Sequence, residues 1–250
     1  MQRIGGKDRY QTAAYIAGQA VDVPTRVLVA TGNNYPDALS AGAVAASHPG
    51  TVVLLSDNAS MPQATEAYLE EMDTRSNHHL NVWGIGQQGV SALGSAGWTG
   101  FASAAGADRY ATSLLVARDF FPGPDTIALA TGANFPDALS AGAFLSRFWG
   151  PLLLVDPQAG LAPQAAAWID GERGSTSAGF VFGGPGALPR SVDGQLGAEI
   201  STATGVSIGD FHGSLAAHLA AGAAGTAGAA EPKAMAGAGA SAQSTEAAKH

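Results

Sequence analysis

The 250-residue chain contains no cysteine, which excludes a disulfide framework, a thiol nucleophile and a cysteine-ligated zinc site. Basic residues are scarce: 12 Lys and Arg stand against 20 Asp and Glu, for a formal net charge of −8. Because binding to phosphates needs clustered basic side chains, nucleic acid is not expected as a partner. No apolar run approaches the ~18 residues of a membrane helix, so no membrane span is expected. A signal peptide pattern is also missing, and export would need a leader beyond these residues.

The sequence contains an internal repeat with a spacing of one hundred residues. TGNNYPDALSAGA at 31–43 returns as TGANFPDALSAGA at 131–143, with eleven of thirteen positions identical. GKDRYQTA at 6–13 returns as GADRYATS at 106–113. A fixed period of this length identifies the structural unit, so the repeat predicts two consecutive modules of similar fold.

Each copy alternates short buried-strand patterns with helix patterns. In the first copy RVLVATG at 26–32 reads as a strand closed by glycine, and PDALSAGAVAAS at 36–47 reads as a helix that begins with proline. Because no hairpin signals separate the strands, parallel strands joined by right-handed crossovers are expected. The sequence therefore predicts an α/β fold of two open parallel-sheet modules, residues 1–100 and 101–212, with helices on both faces. Residues 213–250, rich in Ala and Gly, are predicted to form a disordered tail.

Six repeated residues are predicted to stabilise helix starts: Asp8, Asp108, Pro36, Asp37, Pro136 and Asp137. An aspartate at the start of a helix interacts favourably with the free backbone N–H groups and the helix dipole. Asp37 and Asp137 also follow predicted parallel strands, at the edge of a sheet where ligands collect. A role for these two aspartates in ligand binding therefore stays open beside the structural one.

Arg9 and Arg109 are the only basic residues present in both copies. Each could pair with a nearby aspartate or hold an anion, and the sequence leaves both alternatives open. A catalytic site is not expected, because no nucleophile, base and orienting partner occur together. The glycine segments IGQQG and GGPG lack the pattern of a phosphate-binding loop, and the six histidines have no counterparts between copies. Neither a metal nor a cofactor is expected.

The repeated blocks resemble the cell wall binding repeat 2 family of Gram-positive surface proteins. In the first copy the matching blocks are RIGGKDRYQTA, VATGNNYPDALSA, VVLLS and IGQQGVS. In the second copy they are AAGADRYATS, LATGANFPDALSA, PLLLV and GGPGALP. The resemblance implies Toprim-like α/β modules, usually three in tandem around a pseudo-threefold axis. It also implies non-covalent attachment of an exported protein to an anionic wall polymer, at the cell wall or extracellular surface.

In this family the polymer is expected near the P-(I/V/L)-L-L segment. Together with the two arginines, the polymer-binding residues expected here are Arg9, Arg109, Val52, Val53, Leu54, Leu55, Pro151, Leu152, Leu153 and Leu154. Val52 stands where the second copy has Pro151, which weakens the first segment's match. Since only two copies are present, either self-association or a missing third repeat is expected. The alternative function is a phosphate- or nucleotide-handling Toprim-like enzyme, which would need clustered acidic metal ligands where the chain has single aspartates.

Overall fold

A computed structural model of the chain describes residue 1, residues 3–200 and, by their backbone alone, residues 207–209. These residues all belong to one compact unit, residues 1–210. The predicted tail at 213–250 lies outside the described residues.

The described residues form eight strands and eight helices. The strands are β1 (Arg26–Thr31), β2 (Thr51–Ser56), β3 (Asn81–Ile85), β4 (Ala102–Ala104), β5 (Thr126–Thr131), β6 (Leu152–Val155), β7 (Ala178–Phe182) and β8 (Ser207–Gly209). The helices are α1 (Arg9–Ala20), α2 (Pro36–Ser47), α3 (Gln63–Arg75), α4 (Gly86–Ser95), α5 (Arg109–Phe120), α6 (Pro136–Leu145), α7 (Pro163–Gly171) and α8 (Ser191–Ile200).

The strands form two four-stranded sheets with the same topology. The first sheet has the order β2-β1-β3-β4 and the second the order β6-β5-β7-β8. Every pairing between these strands is parallel, as the alternating pattern predicts. Strand β4 pairs with β3 in the register Trp83↔Ala102, so the first sheet extends past the boundary predicted at residue 100.

Helix starts follow the sequence signals closely. Asp8 caps α1 by accepting a hydrogen bond of 2.8 Å from the backbone N–H of Gln11. Asp108 caps α5 in the same way through the N–H of Ala111, also at 2.8 Å. Helices α2 and α6 each begin at a proline followed by an aspartate in the first turn, which suits the free N–H groups and the dipole of a helix start.

Alternate residues of each central strand pack against helices on opposite faces of the sheet. Val27 and Val29 of β1 join a core cluster with residues of α1, α3 and α4. Leu28 and Ala30 point the other way, into a cluster with residues of α2 and α5. Strand β1 is therefore buried on both faces, as is typical of a central parallel strand, and the expectation of helices on both faces is met.

Helix α5 joins the two modules because it packs against both sheets. Leu114 and Ala117 lie in the core of the second sheet, with Leu129 and Leu153. Val116 and Phe120 lie on another side of the same helix and pack into the core of the first sheet. A second contact comes from α2, whose final residue Ser47 donates from Oγ to the carbonyl of Leu145 in α6 at 3.3 Å.

Candidate functional site

The two repeated arginines make the same contact in both modules. The Nη1 of Arg9, at the start of α1, donates to the carbonyl oxygen of Gly32, just after β1. Arg109, at the start of α5, donates in the same way to Gly132, just after β5. In the part of the chain that the structure describes, neither guanidinium lies within 4.0 Å of a carboxylate oxygen. The repeated arginines thus hold the turn at the carboxyl end of the central strand.

Arg109 differs from Arg9 in its surroundings, because it lies at the junction between the modules. Its Cζ atom is 5.9 Å from the centre of the Tyr35 ring, which belongs to the first module. The Tyr35 hydroxyl donates to the carbonyl of Ala133 at 2.8 Å, and its ring lies 5.6 Å from the ring of Phe135. Arg9 is exposed. One sequence motif therefore occupies two different environments in the same chain.

Asp37 lies half-buried beside this junction. Its carboxylate sits over the first residue of α4, since a Cβ added at Gly86 would come within 1.9 Å of Oδ2. Burial raises the pKa of Asp37 to about 6, and the positive charge of Arg109 partly opposes this increase. Gly86 has φ of +71°, a conformation that glycine adopts readily and that leaves room for the carboxylate.

The raised pKa of Asp37 predicts a pH-dependent stability. An increase of the pKa from 3.8 to about 6 corresponds to about 3 kcal/mol in the free energy of unfolding. Because the folded-state pKa is the higher one, this stabilising contribution is complete below about pH 4 and is lost as pH rises through about 6. The free energy of unfolding of the wild type should therefore fall across this window relative to that of Asp37→Asn, as measured by urea unfolding. Asp137→Asn is the matched control and should retain the wild-type decline. Parallel curves for wild type and Asp37→Asn would contradict the assignment.

The strand segments expected to bind polymer are largely buried in the two cores. In β2, Val52 is 5% exposed and Leu54 is 0% exposed, while Val53 and Leu55 are half-buried. Four consecutive residues of the second segment are buried, namely Pro151, Leu152, Leu153 and Leu154. These side chains mainly fill the hydrophobic cores on the two faces of each sheet. Contact with a ligand is therefore restricted to the ends of the strands.

A cavity of about 650 Å³ opens at the end of β6 in the second module. Its walls come from the start of α5, the end of β6 and the start of α7, and they include Leu153, Leu154, Asp108, Tyr110, Ser113, Asp156 and Arg118. This volume lies in the usual range of small-molecule pockets. Asp156 Oδ1 accepts hydrogen bonds from the N–H groups of Gln158 at 2.8 Å and Ala159 at 3.2 Å. The cavity thus combines an apolar floor with two carboxylates and one cation.

Sequence reasoning missed several residues of this region. Tyr10 and Tyr110 follow the repeated arginines, and that repetition was the available signal. The Tyr10 hydroxyl donates to Asn33 Oδ1 at 3.1 Å, and Asn33 in turn donates to Asp57 at 2.6 Å, which links α1 to the ends of two strands. The signal for Asp156 was weaker, because its counterpart Asp57 is displaced by one residue from the spacing of one hundred.

No group of three or more His, Cys, Asp or Glu that could hold a metal ion lies among residues 1, 3–200 and 207–209. In the same part of the chain, no helix has the length and apolar character needed to cross a membrane.

The fold is similar to those of two solved structures from Clostridium difficile. Cwp6 matches with a TM-score of 0.67 and 23% identity, over 78% of this chain and 31% of that one. Cwp8 matches with a TM-score of 0.65 and 20% identity, over 78% of this chain and 33% of that one. At these identities the similarity establishes a shared α/β fold with parallel sheets.

Comparison with curated proteins gives 24% identity over 199 residues to N-acetylmuramoyl-L-alanine amidase LytC of Bacillus subtilis (strain 168), covering 78% of this chain and 38% of LytC. The chain thus spans about a third of the length of these relatives. The model of cell wall binding domain 2 (CWB2) matches residues 3–95 and 104–193, one segment for each repeat. These matches support attachment to the cell wall as the function of a binding module located at the wall or surface. Since they cover both repeats and most of the chain, the chain belongs to the cell wall binding domain 2 family.

Proposed function

We propose that this chain attaches a protein non-covalently to the bacterial cell wall by binding an anionic secondary wall polymer through its two repeats. The observation that carries this proposal is the family match over both repeats, residues 3–95 and 104–193. The Toprim-like description of each module belongs to the same proposal, supported by the two four-stranded parallel sheets. No observation favours the alternative of a phosphate-handling enzyme.

A chain of net charge −8 needs local donors to hold a polyanion. Charges further away than a Debye length of about 8 Å are largely screened at physiological salt. A guanidinium carries five N–H donors. In both Arg9 and Arg109 the hydrogen bond to the glycine carbonyl uses a single nitrogen, Nη1. In this proposal the two arginines donate to anionic groups of the polymer at the carboxyl ends of the sheets.

The cavity of the second module supports a second contact in the same proposal. One sugar unit of the polymer would occupy it, with hydroxyl groups donating to Asp108 and Asp156 and apolar atoms against Leu154. This arrangement would bring the polymer to the end of the PLLL segment, without requiring its buried side chains to leave the core. Since the cavity lies in the second module, binding there should be the stronger of the two.

Replacing the repeated arginines tests the proposal. We expect Arg109→Ala to weaken binding to purified Gram-positive walls by about 10- to 100-fold, and Arg9→Ala by less. Loss of a charge-assisted hydrogen bond, about 1.5 to 3 kcal/mol, accounts for a change of this size. Affinity would be measured by co-sedimentation with walls before and after acid extraction of their secondary polymers. Arg147→Ala is the matched control, because it removes the same charge from an exposed position after α6.

Melting temperatures of the same variants separate binding from folding, because Arg109 also contacts Tyr35 across the junction. If both arginine variants lose stability while their folded fraction binds walls as the wild type does, the arginines are structural. Equal binding to walls with and without their secondary polymers would refute the anionic polymer as the ligand.

A further inference from the structure

The carboxyl ends of the strands have the same backbone arrangement in both modules. The glycine after each central strand donates its N–H to the last residue of the neighbouring strand, Ser56 in the first module at 2.8 Å and Val155 in the second at 2.9 Å. Asp57 and Asp156 come directly after these two residues. The two aspartates therefore occupy equivalent positions, one in each module.

The turn after the central strand is also the same in both modules. The backbone N–H of Asn33 donates to Oγ1 of Thr31 at 3.3 Å, and that of Ala133 donates to Oγ1 of Thr131 at 3.2 Å. The side chains of residues 33 and 133 therefore start from the same backbone geometry. The two copies differ at this position by an amide group, which Asn33 has and Ala133 lacks.

In the first module the Asn33 amide joins a tyrosine to an aspartate. The Tyr10 hydroxyl donates to Asn33 Oδ1 at 3.1 Å, and Asn33 Nδ2 donates to Asp57 Oδ1 at 2.6 Å. A single amide group thus accepts from a phenol and donates to a carboxylate. We call these three side chains the polar bridge of the first module.

The second module has both ends of this bridge but no centre. Tyr110 and Asp156 line the same cavity. Ala133 offers no side-chain donor or acceptor, and none of the other described side chains hydrogen-bonds the Tyr110 hydroxyl. Burial, together with the negative charge of Asp156, raises the pKa of Tyr110, so its hydroxyl stays protonated and able to donate. A donor and a carboxylate therefore face the cavity where the first module holds its own amide.

We propose that the second module binds a sugar hydroxyl of its ligand in the place that the Asn33 amide fills in the first module, and that Ala133 keeps this place open. One hydroxyl oxygen can accept from Tyr110 while its hydrogen is donated to Asp156, so a single ligand group makes both contacts of the bridge. Asn33 is attached to the chain and competes with any free ligand through its high effective concentration.

The identity of residue 33 or 133 thus selects the module that takes the sugar. This inference rests on the proposed function, because it identifies the residue that decides where the ligand of that function binds.

Exchanging the two residue types tests this assignment in both directions. Short chains of the secondary polymer released by acid from purified Gram-positive walls would be titrated into the full chain by isothermal titration calorimetry. The wild type should bind one fragment tightly. Ala133→Asn should weaken this binding about 10- to 100-fold, because its amide would join Tyr110 to Asp156. Asn33→Ala should add a second tight site, because it frees Tyr10 and Asp57.

Ala67→Asn and Asn81→Ala are the matched controls, since they make the same exchanges at exposed positions on α3 and β3 and should bind as the wild type does. Melting temperatures would verify that each variant is folded, and should Ala133→Asn not fold, Asn33→Ala decides alone. Unchanged affinity of folded Ala133→Asn, or a single tight site in folded Asn33→Ala, would overturn the assignment and leave the proposed function intact. A wild type that binds no fragment would instead refute the proposed function, and this inference with it.

Discussion

Gly89→Ala should lower the free energy of unfolding by about 3 kcal/mol, although it adds a single methyl group. Gly89 lies inside α4, where the helix packs directly against the central strand β1. A Cβ at this position would lie 2.2 Å from the carbonyl oxygen of Val29, which is a backbone atom of a strand paired on both sides. Neither element can retreat without disturbing the core, and overpacking of this kind costs about 1 to 3 kcal/mol or more.

Gly94→Ala in the same helix is the matched control. A Cβ there meets no atom within 4 Å, so the substitution should raise the free energy of unfolding by about 0.5 to 1 kcal/mol through helix propensity. Urea unfolding of both variants gives the comparison directly. If both substitutions stabilise the protein, α4 does not pack against β1 as closely as described.

Phe120→Ala should lower the free energy of unfolding by about 3 to 5 kcal/mol, the range for removing a buried phenylalanine. Phe120 is 4% exposed and lies at the end of α5, in the core of the first sheet. Its ring centre is 4.5 Å from that of Trp83, and the Arg26 guanidinium carbon is 5.2 Å from the ring centre. Its backbone carbonyl also lies 2.9 Å from Nε2 of His48, at the end of α2.

The control for this prediction is Phe135→Ala, the same substitution at a residue that is 48% exposed. Chemical unfolding at a low protein concentration should show a loss below about 1 kcal/mol for this variant, in line with exposed positions generally being tolerant. A loss for Phe120→Ala as small as that expected for Phe135→Ala would mean that Phe120 contributes little to the junction.

Much of the fold could be predicted because the chain repeats its strand and helix signals. The run from Arg26 to Thr31 is apolar and β-branched, and the structure buries Val27, Leu28 and Val29 completely. The Pro-Asp pair at residue 36 marks the first turn of α2 at the predicted residue. Local signals sufficed at these places because local preference and tertiary packing agree.

Helix α4 could not be predicted because its sequence works against local preference. The segment GQQGVSALGS contains three glycines, each of which disfavours a helix by about 1 kcal/mol relative to alanine. The structure explains two of them: Gly86 has a positive φ and accommodates Asp37, and Gly89 allows close contact with β1. Packing against the sheet outweighs propensity here, and no sequence rule signals a contact between distant segments.

The contacts of the two repeated arginines could not be predicted from the sequence. Their repetition made Arg9 and Arg109 candidates, and the sequence left open an aspartate side chain or an anion as the partner. The structure shows a backbone carbonyl as the partner in both modules. The neighbours of Arg109 come from the other module, so two identical motifs acquire different environments that a single repeat cannot reveal.

Helix α5 packs against two sheets at once, and this restricts which substitutions the helix can accept. Helix α5 is constrained along both sides, as SLLVARDFF at 113–121 illustrates, while among the described residues the corresponding AAYIAGQAV at 13–21 is constrained along one. Substitutions in α5 are therefore restricted on two sides, because a side chain that suits one sheet must leave the packing of the other intact.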